Sequence, residues 1–168
     1  SFAANRFHLV LWNATMGYIV RLRQMVFLPQ PTAVTGATPS AWTLRRRINP
    51  LTIPAGGLVT PVPSDSTFSL PAGLTVHSVP TTAPGGGTPQ DILTFVPQAD
   101  EQKLSTLDAP TFASLQPFGG VAIWSASALR PAVSLIVRPQ QACEVQQTAT
   151  AGTGNCRWFL VFSVKDAH

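Results

Sequence analysis

The chain has 168 residues, which fits a single domain, and its 45% hydrophobic content predicts a packed core and excludes wholesale disorder. Only 11% of the residues are charged, against about 25% in typical soluble domains. The net charge of +4 rests on 11 Lys plus Arg, too few to predict a direct nucleic-acid partner. The longest apolar run, residues 158–162, is too short to span a membrane. We therefore expect one domain over residues 1–168 that neither binds nucleic acid directly nor has a membrane as its partner.

Apolar and polar residues alternate in the first part of the chain, and this pattern predicts three strands, at residues 6–12, 18–28 and 41–48. The second strand is expected to stop at Pro29, because proline cannot donate a hydrogen bond to a neighbouring strand. Four arginines on the second and third strands share the side opposite the apolar residues, and we predict that they form one arginine face, which either makes interface contacts or is exposed to solvent: Arg21, Arg23, Arg45 and Arg47. Arg46 has the opposite parity, so it must lie at the rim or be paired.

Residues 49–90 form a long loop region in which prolines recur and nearly exclude helices. Short extended pieces are expected at 58–60 and 74–79, and a strand at 92–96. Residues 101–107 are the stretch most compatible with a helical turn. We find no internal repeat in the sequence.

The C-terminal part predicts four more strands, at residues 121–124, 133–137, 143–148 and 156–164. The last is rich in aromatic and β-branched residues, which favours a central place in a sheet. Roughly eight or nine short strands with frequent turns predict an all-β fold. The expected architecture is an antiparallel β-sandwich or barrel, jelly-roll-like or β-tulip-like, with long Pro/Gly-rich loops.

The two cysteines, Cys143 and Cys156, permit one disulfide. The segment between them resembles a turn, and the midpoint of their spacing falls within it, so the two residues could face each other across a hairpin. The alternative is a pair of small, semi-buried thiols that stay reduced.

No arrangement of residues predicts catalysis, a metal site or a cofactor site. The three histidines lie on separate segments without ligand spacing, and no Gly-x-Ser-x-Gly sequence is present. The seven acidic residues offer no reason to pair any two carboxylates. The four tryptophans fall within predicted strands, where packing is the ordinary role. We therefore expect a protein that is not an enzyme.

The order of several segments resembles small virion proteins that tailed bacteriophages encode near their capsid genes. The segments are Trp12-Asn13, the following Gly17 turn, IVRLRQMV (19–26), TLRR (43–46), VTPV (59–62), Asp65-Ser66, LPAG (70–73), LRP (129–131), IVRPQQA (136–142) and a closing strand rich in Phe and Val. The chain departs from the pattern at Gln140-Gln141, where Gly-Glu is usual. The similarity extends over most of the chain.

This resemblance implies a structural protein on the capsid exterior, most specifically a decoration (cement) protein. Its partners would be the major capsid protein and copies of itself, commonly as a homotrimer. The alternative is a head-fibre or tail-associated domain that binds a receptor or glycan and exposes an aromatic cluster. We expect the 49–90 loop region and the arginine face to make the contacts.

Overall fold

The computed structural model describes residues 5–30, 41–95, 121–125, 135–147 and 155–167. These residues form strands and loops, and none of them forms a helix long and apolar enough to cross a membrane. The strands are β1 (Phe7–Asn13), β2 (Tyr18–Gln30), β3 (Trp42–Ile48), β4 (Leu58–Val59), β5 (Leu74–Ser78), β6 (Thr88–Phe95), β7 (Val121–Ser125), β8 (Leu135–Val137), β9 (Gln141–Gln147) and β10 (Asn155–Asp166). The expected helical turn at 101–107 lies outside the described residues.

The strands form two antiparallel sheets. The larger sheet has six strands in the order β4-β5-β1-β9-β3-β6. In the smaller sheet β2 pairs with β10 along one edge and with both β7 and β8 along the other. Inward-facing side chains of both sheets belong to one hydrophobic core. The prediction of an all-β antiparallel fold is confirmed, in its sandwich form.

Most core residues follow the predicted alternation. Trp42, Leu44 and Val145 from the larger sheet are completely buried, as is Val20 from the smaller one. Met25 is also completely buried although simple alternation places it on the side of Arg21, because a register shift in β2 between Leu22 and Gln24 changes the alternation. A second, smaller cluster on the other face of the larger sheet contains Val10, Trp12 and Ala142. The centre of the larger sheet is therefore buried on both faces. This explains why β1 and β9 are buried at nearly every position.

Asn13, at the end of β1, ties the two sheets together. Its Nδ2 donates to the carbonyl oxygens of Tyr18 and Val137, both in the smaller sheet, at 3.0 and 3.3 Å. Its Oδ1 accepts from the backbone N–H and the hydroxyl of Thr15. Because the side chain is completely buried, these bonds satisfy groups that would otherwise lose their hydration without replacement.

Three details of the strands differ from the sequence predictions. Strand β2 continues through Pro29 to Gln30, so proline does not end it. An antiparallel strand donates N–H groups to a given neighbour only at alternate positions, so it tolerates a proline at a non-donating one. Strand β6 starts at Thr88, four residues before the predicted start. Strand β10 lies at the edge of its sheet, rather than in the centre.

The loop region contains an internal repeat that the prediction missed. Residues 50–57 and 80–87 share the pattern Pro-x-Thr-x-Pro-x-Gly-Gly. We call residues 49–57 the first arm and residues 79–87 the second arm. The first residue and both final glycines of each arm have positive φ angles, between 49° and 73°. The arms pair with each other through the bridges Thr52–Gly85 and Ala55–Thr82.

The repeat is part of a two-fold symmetry in the pairing of the larger sheet. Each arm follows a strand, β3 or β5, and each of these strands flanks one of the central strands, β9 or β1. The pair Ile48–Gln141 on one side corresponds to Ser78–Leu9 on the other. The centre of the pattern is the pair Leu11–Cys143. Side-chain contacts obey the same two-fold symmetry. Arg47 donates a hydrogen bond to the carbonyl oxygen of Gly86, and Nδ1 of His77 is hydrogen-bonded to the carbonyl oxygen of Gly56.

Substitution of the last glycine of each arm tests whether the two arms are structurally equivalent. A Cβ atom on Gly57 would lie 2.0 Å from the carbonyl oxygen of Ser78, and one on Gly87 would lie 2.3 Å from that of Ile48. We expect Gly57→Ala and Gly87→Ala each to lower the free energy of unfolding in urea by roughly 3 kcal/mol. Gly17→Ala is the control, because no atom lies within 4 Å of its added Cβ. A neutral Gly57→Ala would contradict the equivalence.

Candidate functional site

The two cysteines lie in different sheets. Cys143 in β9 pairs in register with Leu11 and Arg46, while Cys156 in β10 pairs with Pro29. The predicted hairpin between them is therefore wrong, because each of their strands has other neighbours. Cys143 is a free, buried cysteine, and burial raises the pKa of its thiol to about 12, so it is a poor nucleophile. Because Cys143 is free, the structure does not contain the predicted Cys143–Cys156 disulfide and agrees with the reduced alternative at Cys143. The side chain of Cys156 lies outside the described residues.

The four predicted interface arginines do not form one face. Arg21 and Arg23 lie on the outer side of the smaller sheet, whereas Arg45 and Arg47 lie on the outer side of the larger one. Alternation predicted correctly that they point away from the core. It could not show that the two strands belong to opposite layers of the sandwich.

The individual surroundings of these arginines also differ. Arg23 is exposed and its Nε donates to Ser163 Oγ at 3.1 Å. Arg21 is half-buried. Arg45 is paired with Asp91 and donates to Gln146. Arg46 bonds Gln90 with two of its nitrogens, as expected for a paired arginine on the core side.

Arg47 and Glu144 form a buried ion pair on the outer side of the larger sheet. Nε and Nη2 of Arg47 donate to the two carboxylate oxygens of Glu144 at 2.5 and 3.1 Å, and Nη1 donates to the carbonyl oxygen of Gly86. Burial raises the pKa of Glu144, and the bonds from Arg47 oppose that shift. With Arg47 8% exposed, this pair attaches the second arm to the sheet and is not available to a partner.

Removing one member of this pair leaves a buried charge without its counterion. We expect Arg47→Met to lower the free energy of unfolding by about 3–5 kcal/mol, and Arg47→Met with Glu144→Leu to restore most of it. The matched control is Arg45→Met, whose partner Asp91 is more than half exposed, with an expected cost of about 0–1 kcal/mol. Urea unfolding measures all three. Equal losses in the single and double variants would contradict the ion-pair explanation.

His8 is a buried titratable residue on the face of the larger sheet that packs against the core. Its ring lies 4.5 Å from that of Trp42, and its Nε2 is 3.2 Å from Oε1 of Gln147. Burial lowers its pKa to about 4, because the imidazolium form loses its hydration. The geometry is that of a packed histidine and offers no metal ligand set.

The His8 shift makes stability depend on pH. Below about pH 6.5 the unfolded chain binds a proton at His8 and the folded chain does not, so the free energy of unfolding falls as the pH falls toward 4. Between pH 7.5 and 5 we expect the natural chain to lose about 2 kcal/mol more than His8→Phe does. Urea titrations of both proteins at the two pH values measure this difference. Parallel losses would contradict a neutral buried His8.

An apolar groove of about 440 Å³ lies between β10 and the loop that joins β4 to β5. One wall is residues 159–164 of β10, and the other includes Pro61, Val62, Phe68 and Leu70. Both the inward-facing and the outward-facing positions of β10 line it, so the groove runs along the edge of the strand. Its volume is within the range of small-ligand and peptide sites.

The loop wall of this groove is held in shape locally. Asp65 Oδ1 accepts from the backbone N–H and the hydroxyl of Thr67 at 2.9 and 2.7 Å, and these bonds lower its pKa. The N–H of Phe68 donates to the carbonyl of Asp65. Three nearby prolines, at positions 61, 63 and 71, restrict the backbone further. A wall ordered in advance loses little entropy when a partner binds.

Exposed apolar side chains surround the groove and extend to the edge strand β4. We call this surface the apolar flank, defined by Leu58, Val59, Val62, Phe68, Phe159 and Val161, which are 36–93% exposed. Among the described strands, β10 has one neighbour, β2, and no described strand pairs with its other edge. A long, apolar, unpaired edge is a template for adding another strand.

The side chains of the apolar flank can make apolar packing contacts. Asp65 is the one charged residue among those that line the groove. The described residues contain no group of three or more His, Cys, Asp or Glu that could hold a metal. In the sequence, Phe159 and Val161 alternate with residues that face the core, and this pattern could have indicated the apolar flank. It did not distinguish an edge strand, because an interior strand would show the same composition.

Comparison of the chain with protein-family models, curated proteins and solved structures finds no match. The residues and geometry described above are therefore the basis for assigning a role.

Proposed function

We propose that this protein is a structural component of a virion, a decoration protein on the capsid exterior that acts by assembly and not by catalysis. The apolar flank is the observation that carries the proposal. A monomer that exposes this much apolar surface beside an unpaired strand edge is suited to bind a protein surface. The resemblance to small phage virion proteins supports the capsid setting.

The surface chemistry also suits a protein that binds over a broad area. Few charges need to be desolvated when such a surface is covered, because only 11% of the residues are charged. The ordered 61–71 loop supplies contacts at low entropic cost. Among the predicted arginines, Arg21, Arg23 and Arg45 remain candidates for contacts with the major capsid protein. Arg47 does not, since it is committed to Glu144.

Copy number tests the proposal directly. In virions purified from a phage that encodes this chain, we expect it in a number comparable to that of the major capsid protein, measured by quantitative mass spectrometry. Recombinant protein should also rebind particles from which it has been stripped. Presence in only a few copies would contradict decoration and favour a fibre or tail component, and absence from the particles would contradict both.

A receptor- or glycan-binding fibre domain is the second candidate, and one observation favours it. Phe68 and Phe159 are 44% and 53% exposed and line the same groove, and aromatic faces can stack on a ligand. Saturation-transfer NMR with a panel of sugars separates the two candidates. Transfer that Phe159→Ala removes would support the fibre domain.

A further inference from the structure

We propose that the apolar flank joins two copies of this chain, with the unpaired edges of their β10 strands hydrogen-bonded in antiparallel order. The proposal deepens the proposed function, because it names the first partner in the assembly and uses the same flank. An antiparallel pair of identical strands has two-fold symmetry, so the product is a dimer whose smaller sheets join into one.

The internal symmetry shows that the fold does not require the apolar residues of the flank at β4. Leu58 and Val59 follow the glycine pair of the first arm, and Thr88 and Pro89 follow that of the second arm. The second arm thus continues into a strand with polar or small residues at these positions. Leu58 is nevertheless 67% exposed. We include this exposed leucine, which the equivalent strand does without, in the proposed contact surface.

The middle of β10 lacks the usual protections against pairing, whereas the charged residues Arg157, Lys165 and Asp166 lie toward its ends. Natural edge strands are blocked by lysines, prolines or bulges, yet residues 159–164 contain no proline and no charge. The irregularity between β10 and β2 adds a residue to β2, because Val161 and Phe162 pair with Gln24 and Leu22. The residues of β10 are consecutive there. Its outer edge is therefore regular, and no described strand pairs with it. The loop that contains Val62 and Phe68 faces this edge across the groove.

The size and charge of the flank fit a second copy. Its six side chains expose on the order of 600 Å² of apolar surface, at the top of the range for the largest patch on a monomer. A stable interface takes about 800 Å² from each partner, and the paired backbones would supply the remainder. Asp65 is the only charge in the groove, so two flanks can meet without a cluster of like charges.

A specific register follows from the outward-facing residues. Centring the pair on Leu160 sets Phe159 of one copy opposite Val161 of the second copy, and the reverse. Aromatic and β-branched residues form favourable cross-strand pairs. Phe159 lines the groove together with Val62 and Phe68 of the same chain, so this pairing would lie beside the groove of each copy.

Sedimentation velocity of the full chain between about 1 and 100 μM tests the association. We expect a dimer, and we expect Phe159→Lys and Val161→Lys each to weaken it at least tenfold. Met16→Lys is the matched control, because Met16 is exposed and lies in the turn between β1 and β2; it should leave the dimer unchanged. Far-ultraviolet circular dichroism checks that each variant is folded.

Disulfide trapping tests the register. In a Cys156→Ser background, Phe159→Cys with Val161→Cys should give a covalent dimer on mild oxidation, whereas each single variant and Met16→Cys should not. A monomer, or an oligomer that Phe159→Lys leaves intact, overturns the proposal. A trimer overturns the antiparallel pairing.

The outcomes separate this proposal from the proposed function. A chain that is monomeric in solution but present on virions in high copy would overturn the dimer and leave decoration standing. A dimer that is absent from virions would do the opposite.

Discussion

Strand β1 pairs with β9 at the centre of the larger sheet, although the two strands come from opposite ends of the chain. Their inward residues, including Leu11 and Val145, meet the smaller sheet, and their outward residues, including Trp12 and Ala142, form the second cluster. The remaining strands of this sheet attach on either side with equivalent registers. Loss of the central pairing would therefore separate both halves of the sheet and expose both clusters.

The symmetry around this centre relates two of the polar groups buried in the larger sheet. Arg47 and His77 occupy equivalent places, and each bonds a glycine carbonyl in the arm that follows the other's strand. Glu144 neutralises the arginine at one of the two sites. These polar contacts attach the arms to the sheet, so they are part of the architecture.

The apolar flank combines exposed apolar side chains, an ordered loop and the edge of β10 with which no described strand pairs. Each feature is common alone, and together they are the basis of the proposed contact with protein. This is consistent with a chain whose charge content is low, since a covered surface has less need of charge for solubility.

The sequence by itself determined the all-β class, the positions of most strands and the outward direction of the arginines. Those features depend on local periodicity and on proline, which act within a few residues. It also held the repeat Pro-x-Thr-x-Pro-x-Gly-Gly, which became meaningful only when the two arms were seen to pair.

Only the tertiary structure decided which sheet each strand joins, because antiparallel partners are chosen by contacts between distant residues. That choice placed Cys143 and Cys156 in different sheets, divided the arginines between two faces and paired Arg47 with Glu144. It also put β10 at an edge. The composition of β10 suits an interior strand as well as an edge that another chain covers, since both positions are shielded from water.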